Sequence, residues 1–187
     1  MRTDTMMRQL PNAITILRVG IAIIVPLLIF DGRNALRVMA FGLFTVAALT
    51  DWLDGYLARR WNVLSGFGRM LDPIADKLLI VGCLLALVAT DKNTLPILYP
   101  SLIILFREVF VSGLREHMAD KGVTLHVTQI AKFKTTLQFI AIGLVILYPF
   151  FNHWTYALYV TISTFYLAAG LTLYTGLDYF TKALRHV

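Results

Sequence analysis

From Pro11 to Phe30 the chain reads PNAITILRVGIAIIVPLLIF, with Arg18 its sole charge. Comparable apolar runs recur to the end of the sequence. They predict helical spans over about Pro11 to Phe30, Leu36 to beyond Asp54, Met70 to Thr90, Leu95 to Leu114, Thr135 to Phe151, and Trp154 to Leu177. Strands are excluded, because the runs show no turn-bounded alternation and are long enough for helices. Pro26 predicts a kink in the first span. The expected fold class is therefore all-α integral membrane, with six transmembrane helices in a single domain covering residues 1–187. An even number of spans puts both termini on one side.

Composition agrees with the pattern. The chain is 58% hydrophobic and only 15% charged, where a soluble domain carries about 25% charged residues. The basic opening and first apolar stretch show no small-x-small cleavage site after Phe30, so the segment reads as a retained span and not a signal peptide. The single Cys83 excludes an internal disulfide. Charge then orients the chain. With the N-terminus cytoplasmic, the outer connections hold only Arg33, Arg37 and Lys92, and the other fourteen of the seventeen basic residues fall on the inner half. That asymmetry places both termini in the cytoplasm. The net charge of +6 is thus a membrane-side bias; no separate basic domain exists, and nucleic acid is not an expected partner.

Four of the eleven acidic residues, Asp51, Asp54, Asp72 and Asp76, lie within 26 residues. Thirteen uncharged residues separate Arg37 from Asp51, and thirteen more separate Lys77 from Asp91. Each run covers only about 20 Å as helix, short of the roughly 30 Å hydrocarbon core. Both spans must borrow length from their aspartate-bearing ends. Antiparallel packing across a loop from Arg60 to Arg69 would bring both pairs to one depth in the cytoplasmic half. The i,i+3 and i,i+4 spacings put each pair on one helix face.

Four converging carboxylates are expensive without cations, since translocon scales assign about 2.5 to 3.5 kcal/mol to each Asp at a span's centre. Divalent metal is the natural compensation, and all-oxygen ligation suits Mg2+ or Mn2+ over zinc. His117, His126, His153 and His186 are scattered and offer no zinc cluster. Gly55, Ala58, Gly66 and Gly68 allow close approach of a bulky ligand to backbone, and Arg59 suits an anionic group. Carboxylates, metal, glycines and arginine together suggest a diphosphate or nucleotide diphosphate, with one free carboxylate activating a nucleophile. Structural readings exist for single residues. Asp72 before Pro73 could be an N-cap, Asp54-Gly55 a helix terminus, and Arg59, Arg60 and Arg69 solvated inner charges.

Further along, Arg107, Arg115, Lys132 and Lys134 fall at inner span ends. Arg107 interrupts an apolar run and needs a partner, either Glu108 or a substrate phosphate. Arg107, Arg115 and Lys132 read together as a phosphate site, whereas Lys134 by itself reads as an ordinary cytoplasmic anchor. Asn12, Thr15 and Arg18 offer hydrogen bonds near a nucleotide, with Asn12 equally a helix cap.

The stretch reads D-x-x-D-G-x-x-A-R-x8-G-x-x-x-D-x-x-x-D, as Asp51, Asp54, Gly55, Ala58, Arg59, Gly68, Asp72 and Asp76. This resembles the signature of the CDP-alcohol phosphatidyltransferase family at every defined position. The resemblance implies a six-helix membrane domain and two divalent ions per active site. It implies a reaction in which an alcohol hydroxyl displaces CMP from a CDP-linked lipid. Asp51, Asp54 and Asp72 would be metal ligands, and Asp76 the general base, able also to reach metal. Asn12, Thr15, Arg18, Asp54, Gly55, Ala58, Arg59 and Gly68 would hold the CDP-lipid.

Three further segments, PNAITILR, FREVFVSGLRE and AKFKTTLQ, resemble the family's bacterial phosphatidylglycerophosphate synthases, apart from Ala131 where glycine is expected. That branch implies CDP-diacylglycerol as donor and sn-glycerol 3-phosphate as acceptor, bound by Arg107, Arg115 and Lys132. It also implies a homodimer in the bacterial inner membrane, with the active site facing the cytoplasm. Inositol phosphate, phosphatidylglycerol and serine are the alternative acceptors. A cation-coupled transporter is the alternative of another class, but it would place carboxylates near the bilayer midplane and often in repeated halves. An intramembrane prenyltransferase lacks the Gly-x-x-Ala-Arg continuation.

Overall fold

Along the first helix, Arg18, Ile21, Ala22, Val25 and Ile29 are buried while Ile16, Leu17, Ile23, Ile24, Leu27 and Phe30 are exposed. The buried stripe follows the helical repeat, but the opposite face is just as apolar. A face of that kind suits lipid rather than water. The computed structural model describes the backbone of residues 2–61, 66–90, 96–123 and 128–185, and the side chains of 14–50, 71, 73–90, 96–123 and 128–185. Its elements are α1 (Arg2–Asp31), α2 (Asn34–Trp61), α3 (Gly66–Thr90), α4 (Leu98–Asp120), α5 (Gln129–Phe151) and α6 (Ala157–Leu184). No strand occurs among the described residues. The chain forms two units, Met1–Thr90 and Asp91–Val187.

In the first unit α1 packs against both α2 and α3. The core joins Val25 and Ile29 to Ala40, Phe44 and Ala47 of α2 and to Leu79, Cys83, Leu84 and Leu87 of α3. Gly82 is the point of closest approach: a Cβ built there would lie 2.6 Å from Cγ of Pro26. A small residue lets the two helices approach where no hydrophobic driving force exists between apolar surfaces in lipid. Pro26 therefore lies at a helix contact inside α1.

Two expected boundaries move. The interval from Arg60 to Arg69 is not all loop, because α2 continues to Trp61 and α3 already starts at Gly66. The first helix likewise begins at Arg2, well before Pro11. Asn12 is therefore interior to α1 and not its cap. Asp54-Gly55 lies inside α2, and Asp72-Pro73 lies inside α3 with the proline in the helix. Neither aspartate terminates or caps a helix, so two of the plain structural roles fall away.

In the second unit α6 packs against α4 and α5. Thr128 caps α5 by accepting the Ala131 amide at 3.2 Å. Beyond α4, Gly122 adopts φ +76° and its amide bonds the Ala119 carbonyl, while Val123 bonds Met118. That is the glycine stop expected where a helix must end in a left-handed residue.

Four helical segments among the described residues are long and apolar enough to cross a bilayer: Ile14–Asp31, Pro73–Thr90, Gln129–Phe151 and Ala157–Leu184. The apolar part of α2, Asn34–Thr50, is shorter. It gives way to the aspartates, as the spacing of charges predicts. In α4 the polarity of Arg107, Glu108, Arg115 and Glu116 breaks the run.

Candidate functional site

One candidate site lies within the unit Met1–Thr90. Asp51, Asp54, Gly55, Ala58 and Arg59 occupy successive turns of α2, and Gly68, Asp72 and Asp76 occupy the first half of α3. Because both helices are continuous there, positions 51 and 54 share one helical face and positions 72 and 76 another. The side chains of Asn12, Asp51, Asp54, Gly55, Ala58, Arg59, Gly68 and Asp72 lie outside the described residues. Asp76 is described and is partly buried on α3. On α1, Thr15 and Arg18 are both buried, at 2% and 1% exposure. A buried arginine in an apolar helix is a costly placement that points to a polar environment around it.

Among the described residues no group of three or more His, Cys, Asp and Glu comes together. His117 and His153 are exposed, while His126 and His186 lie outside the described residues. The side chains of Asp51, Asp54 and Asp72 are not among those residues, and the aspartate stretch is the candidate metal centre on its sequence alone. Its donor set is carboxylate oxygen only, which fits a hard divalent cation such as Mg2+ or Mn2+.

In the unit Asp91–Val187 a separate polar cluster is buried among α4, α5 and α6. Glu108 is its hub. Its Oε1 accepts from Nζ of Lys134, from Nη1 of Arg107 at 3.4 Å and from Nε2 of Gln138 at 3.3 Å. Gln138 also donates to Oγ1 of Thr172 at 2.9 Å. Arg107 reaches the other way, donating from Nη2 to Oγ1 of Thr175 at 3.2 Å, with its guanidinium carbon 5.6 Å from the ring centroid of Tyr179. Two cations thus share one carboxylate, leaving an excess of positive charge in a buried place. An anion would relieve it.

The sequence expectation for Arg107 holds in that Glu108 is its local partner. Arg115 and Lys132 are exposed, on α4 and α5 respectively. The anchor reading of Lys134 is corrected: the residue is buried and ion-paired, with 4% exposure. Lys134, Gln138, Thr172 and Thr175 were missed. A signal for the first two was available, because positions 134, 138, 141 and 145 repeat at helical spacing with apolar Ala141 and Val145, whereas Lys132 falls off that stripe. The threonines gave none, since hydroxyls within an apolar span commonly bond their own helix.

Apolar helices with a buried, charged polar cluster between them define a helical integral membrane protein. The sequence profile of the CDP-alcohol phosphatidyltransferase family matches residues 8–173, and the chain belongs to that family. Relatives cover nearly all of it. A protein of Rickettsia typhi is 41% identical over 93% of this chain and 96% of its own length. One of Cereibacter sphaeroides is 36% identical over 96% and 97%. One of Shigella boydii is 42% identical over 75% and 76%. All three bear the name CDP-diacylglycerol–glycerol-3-phosphate 3-phosphatidyltransferase.

Proposed function

We propose that this chain transfers the phosphatidyl group of CDP-diacylglycerol to sn-glycerol 3-phosphate, giving phosphatidylglycerol phosphate and CMP. The observation that carries the reading is near-full-length similarity to relatives named for that reaction, in a chain whose eight-position aspartate signature is intact. We read residues 1–187 as one functional domain, since the family match runs across the boundary between the two units.

In this reading Asp51, Asp54 and Asp72, with Asp76 in reach, hold two Mg2+ or Mn2+ ions. When bound, such ions neutralise diphosphate charge and ease departure of the nucleotide. Asp76 takes the proton of the acceptor hydroxyl. The oxygen so activated forms a bond to the phosphorus carrying the diacylglycerol, and the bond from that phosphorus to the CMP oxygen breaks. Asn12, Thr15, Arg18, Gly55, Ala58, Arg59 and Gly68 accommodate the CDP-lipid, with small residues admitting it close to backbone. Arg107, Arg115 and Lys132 grip the acceptor's phosphate dianion, and the excess cationic charge around Glu108 supports that role for Arg107. The reading further carries six spans, both termini and the active site on the cytoplasmic side of a bacterial inner membrane, and a homodimer.

The test is an acceptor screen of the purified protein with CDP-diacylglycerol and Mg2+, scoring CMP release with glycerol 3-phosphate, serine, inositol phosphate and phosphatidylglycerol. Preference for glycerol 3-phosphate is expected, and Arg115→Ala should raise its KM while leaving that of CDP-diacylglycerol near normal. Preference for an unphosphorylated alcohol would overturn the assignment.

A further inference from the structure

The face of α6 that meets Arg107 is built from Thr172, Thr175, Gly176 and Tyr179, spaced i, i+3, i+4 and i+7 on one side of the helix. All four are buried. The two threonines, the glycine and the tyrosine act in three ways on the arginine or its neighbours. Thr175 donates its own hydroxyl proton to the Thr172 carbonyl at 3.0 Å, so its oxygen is left as an acceptor turned to the guanidinium. Thr172 does the same one turn earlier, donating to Ala168 at 2.6 Å and accepting from Gln138. Each hydroxyl is thereby fixed in orientation by its own helix. Tyr179 offers its ring to the guanidinium.

Gly176 supplies room. A Cβ built there would stand 2.8 Å from Cγ of Arg107, with Nε at 3.6 Å and Cδ at 3.8 Å. Cγ lies near the root of the side chain, so the arginine could not yield by moving its tip alone. The whole side chain would swing away from Thr175 and Tyr179. Among the described residues Nε of Arg107 has no acceptor, and the guanidinium keeps N–H groups beyond those that Glu108 and Thr175 occupy. The arginine is held by part of its donor fork and leaves the rest to bind.

We propose that Gly176 and Thr175 are positioning residues for Arg107, the one by leaving space for its stem and the other by fixing its guanidinium, so that α6 sets the affinity for a phosphate-bearing acceptor. The inference rests on the reading of Arg107 as an acceptor-phosphate ligand. Neither residue touches substrate in this account; each acts through the arginine.

Steady-state kinetics of Gly176→Ala, Thr175→Val, Thr175→Ser, Arg107→Ala and the double variant Gly176→Ala/Arg107→Ala separate the possibilities. Gly176→Ala and Thr175→Val should each raise the KM for glycerol 3-phosphate by roughly tenfold, the scale of one weakened hydrogen bond to a charged group. The KM for CDP-diacylglycerol should stay within about twofold. Thr175→Ser, which keeps the hydroxyl, should restore the acceptor KM. Once Arg107 is alanine, the methyl at position 176 has room and should change neither acceptor KM nor unfolding midpoint further. An unchanged acceptor KM in both Gly176→Ala and Thr175→Val overturns the inference. So does an equal rise for both substrates, which marks a merely structural effect. If Gly176→Ala does not fold, the valine and serine pair at 175 carries the decision. An Arg107→Ala enzyme with normal acceptor KM removes the arginine from phosphate binding and sinks the underlying reading instead.

Discussion

Lys134 of α5 and Glu108 of α4 form a buried ion pair, and Gln138, one turn further along α5, donates to the same carboxylate oxygen. Breaking one partner of such a pair leaves a charge without compensation in a dry place, at a cost of about 3 to 5 kcal/mol. Glu108→Gln keeps the shape and removes the charge, so its thermal unfolding midpoint in detergent should fall clearly. Adding Lys134→Met should recover most of that loss. An unchanged midpoint in Glu108→Gln would mean that water already reaches the pair.

The close approach of Gly82 to Pro26 makes a separate prediction for the first unit. Gly82→Leu forces α1 and α3 apart and should destabilise by about 1 to 3 kcal/mol, the usual scale of overpacking. Gly82→Leu combined with Pro26→Ala should be less damaging than the sum of the two. Additive losses in unfolding experiments would show that the contact is not where the strain falls.

Aspartate variants distinguish ligand from base. Asn at position 51, 54 or 72 should weaken Mg2+ activation and also reduce turnover. Asp76→Asn should reduce kcat by about 10² to 10⁴-fold, the typical contribution of base catalysis, with a smaller change in CDP-diacylglycerol affinity. Near-normal turnover of Asp76→Asn would take that residue out of the base role.

Topology can be read by thiol labelling, because the native Cys83 is fully buried and should stay silent. Cysteines introduced at Arg2 and His186 should resist a membrane-impermeant maleimide in intact cells and react after permeabilisation. One introduced at Asn152, in the exposed turn between α5 and α6, should label from outside. Labelling of position 2 or 186 in intact cells would reverse the proposed orientation.

Hydropathy alone located each helix among the described residues, because a segment of about twenty apolar residues has few other ways to satisfy its backbone, though ends moved by as much as nine residues, from Pro11 to Arg2 at the start of α1. The aspartate signature was equally plain: its chemistry is local, written at helical spacings within one stretch. Sequence patterning carried the second span beyond Asp54 and began the third near Met70, and left open how far polar residues continue each helix, which is to Trp61 in α2 and from Gly66 in α3. Those ends decide that Asp54 and Asp72 are interior to helices rather than caps. Tertiary structure alone decided which basic residues face inward. Lys132 and Lys134 are chemically identical and two positions apart, but a helix turns about 200° between them. One is therefore exposed, while the other meets Glu108. Likewise nothing in the sequence near Arg107 announces Thr175 or Gly176, 68 and 69 positions away, because their bearing on it exists only once α6 lies against α4.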